Sequence, residues 1–238
     1  MDKYIDALVA DWEPEALSSD EASKGGGDTG RQWRTLIDDH GMVRVCDDYL
    51  SAEEASALFE HCKNLQQWAF DKPLGNGWKQ RRGICMQAAP GVVGYKYSGQ
   101  MITAAPLDDM LGPLLDRVNR ENETDFNSWL LNQYRPRGLN GSEGDYIGPH
   151  SDDEKALAVA SDGRSVVFGL TLTNHSKCLR PMVFTRKTSM YICHQLVTRA
   201  GQAYTMEGEF QKHWTHELPK RLGVPGTRIS LTARKFVA

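Results

Sequence analysis

Two segments in the first half of the chain repeat their apolar residues at the spacing of an α-helix. The first follows a capping box at Ser51–Glu54 and runs to about Asn64, and the second runs from Leu107 to Asn122. Residues 71–94 between them are rich in glycine and are predicted to be a loop. The pattern therefore predicts two amphipathic helices joined by a long connection.

From Phe126 onward the pattern changes to short apolar runs separated by turn residues, which is typical of β-strands. The predicted strands are residues 128–134, 165–173, 180–186, 190–195, 202–206 and 228–236, with a further strand at Met42–Val45. Two helices followed by a series of short antiparallel strands predict helices packed on a β-sandwich or jelly roll.

The first thirty residues differ from the rest of the chain. Residues 1–17 have the spacing of a short amphipathic helix, whereas residues 18–30 are rich in Ser, Gly and Asp and resemble a flexible linker. Residues 1–30 hold eight acids and two bases, so a net charge of −3 for the whole chain leaves +3 for the remainder. We predict an acidic flexible tail over residues 1–30 and one folded domain over residues 31–238.

Composition narrows the class of protein. Apolar residues make up 40% and charged residues 25%, as in an ordinary globular protein. No apolar run reaches the roughly 20 residues of a membrane helix, and the N-terminus lacks the basic and apolar segments of a signal peptide. Five scattered cysteines do not form a disulfide framework. We expect an intracellular monomer, in the nucleus or the cytoplasm, with no membrane contact.

The most informative segment is Tyr146–Glu154, which contains the pair His150-Ser151-Asp152. Side chains two positions apart on an extended segment point the same way, so this imidazole and carboxylate can bind one ion. A third ligand has two candidates, His213 and His216. Two histidines and one carboxylate leave three coordination positions open, as in non-haem iron oxygenases.

The last predicted strand supplies a partner for such a site. Its alternation places Arg228, Ser230, Thr232 and Arg234 on one face and Ile229, Leu231 and Ala233 on the other. Guanidinium groups bind carboxylates with two parallel hydrogen bonds, so two arginines beside a metal suit a dicarboxylate ligand. The alternative is an ordinary solvated strand face.

Together these segments resemble the AlkB family of nucleic-acid dealkylating dioxygenases from about Gly41 to Phe236. The matching segments occur in the family's order, and they are Tyr95–Gly99, Asn132–Tyr134, Gly144–Glu154, His213–His216 with Pro219, and Arg228–Arg234. The resemblance implies an α+β fold with a double-stranded β-helix (jelly-roll) core and helices packed on one face.

The resemblance also implies residue roles. The iron ligands would be His150, Asp152 and His216, and the residues that bind 2-oxoglutarate would be Asn132, Tyr134, Arg228 and Arg234. The substrate base would contact Tyr95, Tyr97, Ser98, Glu154, Arg82 and Trp78. With Fe(II), O2 and 2-oxoglutarate, the implied reaction removes an N-alkyl group from a base in DNA or RNA and releases formaldehyde, succinate and CO2.

The match is incomplete around the substrate. The lid segment Gly77–Gly91 lacks the Tyr-Gly pair usual in the family, and residues 173–179 are an insertion of unassigned role. The modified base, DNA or RNA, and single or double strand therefore stay open. The alternatives are a protein or small-molecule hydroxylase on the same fold, a non-catalytic nucleic-acid-binding relative and, more remotely, a zinc hydrolase.

Overall fold

A computed structural model describes residues 30–73, 79–97, 100–136, 144–153, 157, 165–221 and 223–236. The predicted helix over residues 1–17 and nearly all of the predicted linker lie outside these residues. The tail and the domain boundary at residue 30 therefore remain predictions.

The described residues form fourteen strands and three helices. The strands are β1 (Arg34–Asp38), β2 (Met42–Cys46), β3 (Gly83–Ala88), β4 (Gly94–Tyr97), β5 (Gln100–Thr103), β6 (Ala105–Pro106), β7 (Ser128–Tyr134), β8 (Ile147–His150), β9 (Ser165–Thr173), β10 (Arg180–Arg186), β11 (Ser189–Thr198), β12 (Ala203–Gly208), β13 (Trp214–Leu218) and β14 (Arg228–Arg234). The helices are α1 (Ala52–Lys63), α2 (Leu111–Asn122) and α3 (Phe210–His213). None of these helices has the length and apolar character needed to cross a membrane.

Twelve of these strands build two facing sheets, and β4 pairs with β5 in a separate two-stranded sheet. The larger has eight strands in the order β1-β2-β12-β9-β14-β7-β3-β6, and the smaller has four in the order β11-β10-β13-β8. Apolar side chains of both sheets meet in one buried cluster, which includes Val45 and Tyr204 from the larger sheet and Phe184 and Trp214 from the smaller. This arrangement confirms the predicted jelly roll.

Both long helices cover the other face of the larger sheet. Their buried residues, such as Phe59 and Leu115, join Trp129 and Leu231 in a second apolar cluster. The predicted capping box is present, because the Glu54 N–H donates to Ser51 Oγ at 3.2 Å and the Ser51 N–H donates to Glu54 Oε2 at 2.9 Å. The prediction of helices packed on one face is confirmed.

Two predicted elements need correction. Helix α2 begins at Leu111 and not at Leu107, because the Asp108 carboxylate accepts the N–H groups of Met110 and Leu111 and ends the preceding turn. Residues 83–88, predicted as loop, form strand β3, which lies between β7 and the edge strand β6 and whose six residues are all buried. Because both faces of β3 are buried, its sequence lacks the alternation of apolar and polar residues that marks a strand. Its first residue is Gly83, where a Cβ would overlap the Phe70 ring.

Gly169 on β9 has a similar constraint beside the core of the jelly roll. A Cβ there would overlap the ring of Tyr204, which is 4% exposed. We expect Gly169→Ala to lower the free energy of unfolding by about 1–3 kcal/mol, as overpacking does. Gly148→Ala, whose Cβ would meet nothing within 4 Å, is the matched control. Urea denaturation checks both, and equal midpoints for the two variants would contradict the expectation.

Candidate metal and co-substrate site

Strand pairing brings the three predicted metal ligands together. His150 ends β8 and lies directly opposite His216 on β13, with ring centroids 4.2 Å apart. Asp152, two residues after β8, has Oδ1 4.0 Å from His150 Nε2 and Oδ2 3.9 Å from His216 Nε2. Asp152 is held there because its N–H donates to Gln211 Oε1 of α3 at 2.9 Å.

The donor atoms of this cluster suit a divalent transition metal. His150 Nδ1 lies 2.9 Å from the Gly148 carbonyl oxygen, which can only accept, so Nδ1 carries the proton and Nε2 keeps a lone pair for a metal. Asp152 Oδ2 and His216 Nδ1 are buried and have no hydrogen-bond partner among the described residues. Buried polar atoms without partners are costly, and a bound cation would compensate the carboxylate.

The pKa shifts in the cluster give its three side chains protonation states that suit a cation. Burial lowers the pKa of His216 to about 3, with His150 adding to the effect, and burial also lowers the pKa of His150. Burial by itself would raise the pKa of Asp152, but Arg234 and the two imidazoles outweigh it and hold that pKa below its usual value. At neutral pH the cluster therefore offers two neutral imidazoles and one carboxylate, the protonation states that metal binding requires.

These shifts predict that acid destabilises the metal-free protein. The unfolded chain protonates His216 below its ordinary pKa of 6.5, whereas the folded chain does so only near 3. Unfolding therefore takes up a proton in this window, and the free energy of unfolding falls with pH by up to about 1.4 kcal/mol per unit for each such imidazole. Urea midpoints measured from pH 7 to pH 5 should fall in the wild type and in His175→Gln, an exposed control. The fall should be smaller in His216→Gln, and equal slopes in all three would count against the assignment.

The last strand carries the predicted polar face. Ile229, Leu231 and Ala233 of β14 join the helix-facing cluster, whereas Arg228, Ser230, Thr232 and Arg234 line the cavity at His150, Asp152 and His216. All seven residues are buried, so the alternative of a solvated strand face is wrong. This cavity between the sheets is the candidate co-substrate pocket.

Arg228 is held as a pre-positioned cation in this pocket. It is 2% exposed, and its Nε and Nη2 donate to the hydroxyls of Thr198 and Thr171 at 3.1 and 3.2 Å. Its guanidinium carbon also lies 5.3 Å from the centre of the Tyr134 ring. Arg234 donates from Nη2 to Asp152 Oδ1 at 2.6 Å, so the second arginine contacts a candidate metal ligand directly.

Asn132 and Tyr134 lie opposite Ser230 and Arg228 in the β7–β14 pairing, and both line the pocket. Arg82 lies on their other side and donates from Nε to Asn132 Oδ1 at 2.7 Å. It is 7% exposed, so the structure buries it beside Asn132, and its contact with the substrate base remains a prediction. From this position Arg82 orients the Asn132 amide.

The other predicted substrate residues are only partly described. Trp78, Ser98 and Glu154 lie outside the described residues. Tyr95 and Tyr97 belong to β4 of the β4–β5 hairpin, for which the backbone pairing is described. The structure therefore leaves these base contacts as predictions.

Sequence reasoning missed three residues that support the site. Gln211 holds the backbone at Asp152, and the Tyr204 ring lines the pocket. Arg180, 3% exposed, donates to the carbonyl oxygens of Asp145 and Pro219 at 2.9 and 3.0 Å and anchors the chain on both sides of the pocket. The alternation in the predicted strand 202–206 could have assigned Tyr204 to the inward face. Nothing in the local sequence indicated the roles of Gln211 and Arg180, because both contact residues far away in the chain.

Comparison with known proteins agrees with this geometry. The family model of the 2OG-Fe(II) oxygenase superfamily matches residues 42–234. A protein named DNA oxidative demethylase ALKBH2 from Arabidopsis thaliana is 27% identical over 213 residues, covering 78% of this chain and 63% of that protein. Its namesake from Mus musculus is 33% identical over 158 residues, covering 63% and 61%. The chain thus spans about three fifths of the length of these curated relatives.

Solved structures agree on the fold. The structure of OsALKBH1 matches with a TM-score of 0.55 at 12% identity, covering 85% of this chain and 100% of that one. A prolyl-4-hydroxylase from Pseudomonas putida matches with a TM-score of 0.50 at 15% identity, covering 82% and 93%. The family match confirms Fe(II), 2-oxoglutarate and O2 as the predicted cofactors. The chain belongs to the 2OG-Fe(II) oxygenase superfamily, and its relatives confirm the predicted resemblance to the AlkB family.

Proposed function

We propose that this chain oxidatively demethylates N-alkylated bases in nucleic acid, with DNA as the favoured substrate. The observation that carries the proposal is the meeting of His150, Asp152 and His216 with the buried Arg228 and Arg234 in one pocket. The name shared by the relatives, DNA oxidative demethylase, favours DNA over RNA.

His150, Asp152 and His216 would hold the iron. When bound with O2 and 2-oxoglutarate, Fe(II) supplies the oxidation of an N-alkyl carbon, which is then lost as formaldehyde. The protein's own residues position the metal ligands and stabilise their charge states. Arg234 forms an ion pair with Asp152 and keeps the carboxylate ionised. The Gly148 carbonyl fixes the tautomer of His150, and Gln211 fixes the backbone at Asp152.

Arg228 would bind the distal carboxylate of 2-oxoglutarate. Its buried charge contacts two threonine hydroxyls and the Tyr134 ring, and no carboxylate among the described residues pairs with it. A buried guanidinium held this way favours a carboxylate ligand, because bidentate pairing with a carboxylate is its strongest interaction. Asn132, oriented by Arg82, would donate an amide hydrogen bond to the same co-substrate.

Exposed basic side chains on two segments that border a second cavity support a nucleic-acid substrate. Lys72 and Lys79 on the connection into β3, and Lys96 on the β4–β5 hairpin, are exposed. A cavity of about 310 Å³, lined by Lys72, Gln80, Ile84 and Met101, separates that connection from the hairpin. Lysines around an opening can bind the phosphates that flank an extruded base.

One observation favours a second candidate, hydroxylation of a protein. The prolyl-4-hydroxylase from Pseudomonas putida shares the fold at a TM-score of 0.50. A shared fold does not determine the substrate. The experiment therefore has to measure the product on the base and not only co-substrate turnover.

The test uses oligonucleotides with one N-methylated adenine or cytosine, as DNA and RNA, single- and double-stranded. Each is incubated with the full chain, Fe(II), ascorbate and 2-oxoglutarate, and formaldehyde, succinate and the restored base are quantified. We expect equal amounts of the three products from DNA and none without 2-oxoglutarate. Succinate formation without restoration of the base would indicate a protein or small-molecule substrate. Binding of the oligonucleotide without succinate formation would indicate a non-catalytic relative.

A further inference from the structure

A second group of metal-ligating side chains lies on the surface, where the β1–β2 turn meets α3. His40 comes from the turn, and Glu209 and His213 come from the two ends of the short helix. One ligand atom from each lies within 4.8 Å of the others. The imidazole centroids of His40 and His213 are 4.6 Å apart, close to the 4.2 Å between His150 and His216 in the candidate iron site.

The fold holds these two imidazoles side by side. Gly41 lets the turn approach α3, because a Cβ there would overlap the backbone of Phe210. Trp214 Nε1 donates to the Asp39 carbonyl oxygen at 2.8 Å, and the Lys187 N–H donates to the His213 carbonyl oxygen at 2.9 Å. Contacts on both sides of the cluster therefore set the separation of the rings.

Two carboxylates lie beside the two imidazoles, and each has one oxygen near an imidazole nitrogen. Glu209 Oε2 lies 3.6 Å from His213 Nε2, whereas Glu209 Oε1 accepts from Lys212 at 2.9 Å. Asp39 Oδ1 lies 3.8 Å from His40 Nε2, and the other Asp39 oxygen pairs with Arg186. The two carboxylates are balanced by the side-chain charges of Arg186 and Lys212. A divalent ion would therefore bind to a surface that is locally neutral.

We propose that His40, Glu209 and His213 form a second metal site that binds a divalent transition-metal ion, with Zn²⁺ as the best match. Two imidazoles and one carboxylate are the ligand types of zinc sites with three protein ligands, and the exposed face leaves a fourth position for water. Half of the His40 and Glu209 side chains is exposed, so the ion can enter directly from solvent.

Such an ion would act as a clamp. It would join the β1–β2 turn to α3, and α3 carries Gln211, which accepts the N–H of the candidate iron ligand Asp152. A ligand that binds only the folded chain stabilises it, and a metal whose ligands come from two elements does so by holding them together.

The test is a Zn²⁺ titration of the untagged full chain by calorimetry, with the melting temperature measured in parallel. We expect two equivalents of Zn²⁺ in the wild type, one in the candidate iron site and one in the surface site. His40→Gly and His213→Ala should each weaken the surface equivalent by more than about tenfold, the least that the loss of even an outer-shell partner costs. Zn²⁺ should raise the melting temperature less in these variants than in the wild type.

Matched variants separate the possible outcomes. His175→Ala removes an exposed imidazole elsewhere and should keep both equivalents. His40 has φ 47, a left-handed conformation that favours glycine, so His40→Gly should melt no lower than the wild type without Zn²⁺. Asp152→Ala should weaken the other equivalent and leave the surface site intact. A wild-type titration in which no equivalent is weakened by either His40→Gly or His213→Ala would overturn the proposal.

Discussion

Asp152→Ala is expected to lower demethylation by more than about 100-fold, because even outer-shell partners of metal ligands cost about 10- to 100-fold when removed. Asp152 is 4% exposed and supplies the carboxylate between His150 and His216. Without it the cluster keeps two neutral imidazoles and loses the charge that compensates a divalent ion. Succinate formation and Fe(II) affinity, measured side by side, check this expectation.

The neighbouring residue provides the control. Asp153 has the same charge but is exposed, so Asp153→Ala should leave turnover and Fe(II) affinity unchanged. Asp152→Ala also removes the 2.6 Å partner of Arg234, so thermal melting must show that the variant folds. Asp152→Asn, which keeps the volume, is the second variant. A folded Asp152 variant with wild-type turnover would contradict the assignment of this cluster as the iron site.

Arg228→Ala is expected to weaken 2-oxoglutarate binding by about 2–5 kcal/mol, the usual cost of truncating one partner of a buried hydrogen-bonded charge pair. The corresponding rise in KM for 2-oxoglutarate is roughly 30-fold to several thousandfold. Arg228→Lys should recover only part of the loss, because an ammonium keeps the charge but lacks the planar fork that Thr198 and Thr171 hold in place. Turnover at saturating 2-oxoglutarate should fall much less than KM rises.

Arg180→Lys is the matched control for Arg228→Lys. Arg180 is similarly buried and lies near the same Tyr134 ring, but it donates its hydrogen bonds to main-chain carbonyl oxygens. Burial, together with the nearby Arg228, lowers the pKa of Arg180 to about 10. We expect Arg180→Lys to lower the melting temperature and leave the KM for 2-oxoglutarate unchanged. The same KM in Arg228→Lys and Arg180→Lys would contradict the assignment of Arg228.

Local periodicity was sufficient wherever one face of an element is apolar and the other is not. The capping box at Ser51 and the apolar stripe of α1 predicted that helix almost to the residue. The alternation in β14 separated Arg228 and Arg234 from Ile229 and Leu231 before any partner strand was known. A period of two or 3.6 residues assigns side chains to faces without reference to the rest of the chain.

Periodicity failed where both faces of a strand are buried. Strand β3 has no polar face to alternate with its apolar one, and the glycines on either side of it resemble those of a loop. The polar Arg82 beside it gave no indication that it would be buried against Asn132. Burial of this kind depends on the elements above and below the strand, which local sequence does not contain.

The choice between the two candidate histidines shows the same division. His213 and His216 are three residues apart, and their chemistry is identical, so residue type and spacing kept both as possible ligands. A change from helix to strand at Trp214 sends His213 to the surface beside His40 and His216 to the buried pocket beside His150. The family motif selected His216, and the pairing of β8 with β13 gives the physical reason.

The amino-acid sequence was thus enough to predict both long helices, the polar face of β14 and the types of ligand available for a metal. Which of these side chains meet was settled by the pairing of strands far apart in the chain, such as β8 with β13 and β7 with β14. The energy of such pairing comes from apolar surface buried on both faces of the larger sheet and on the inner face of the smaller one. The register of one strand therefore depends on all its neighbours at once.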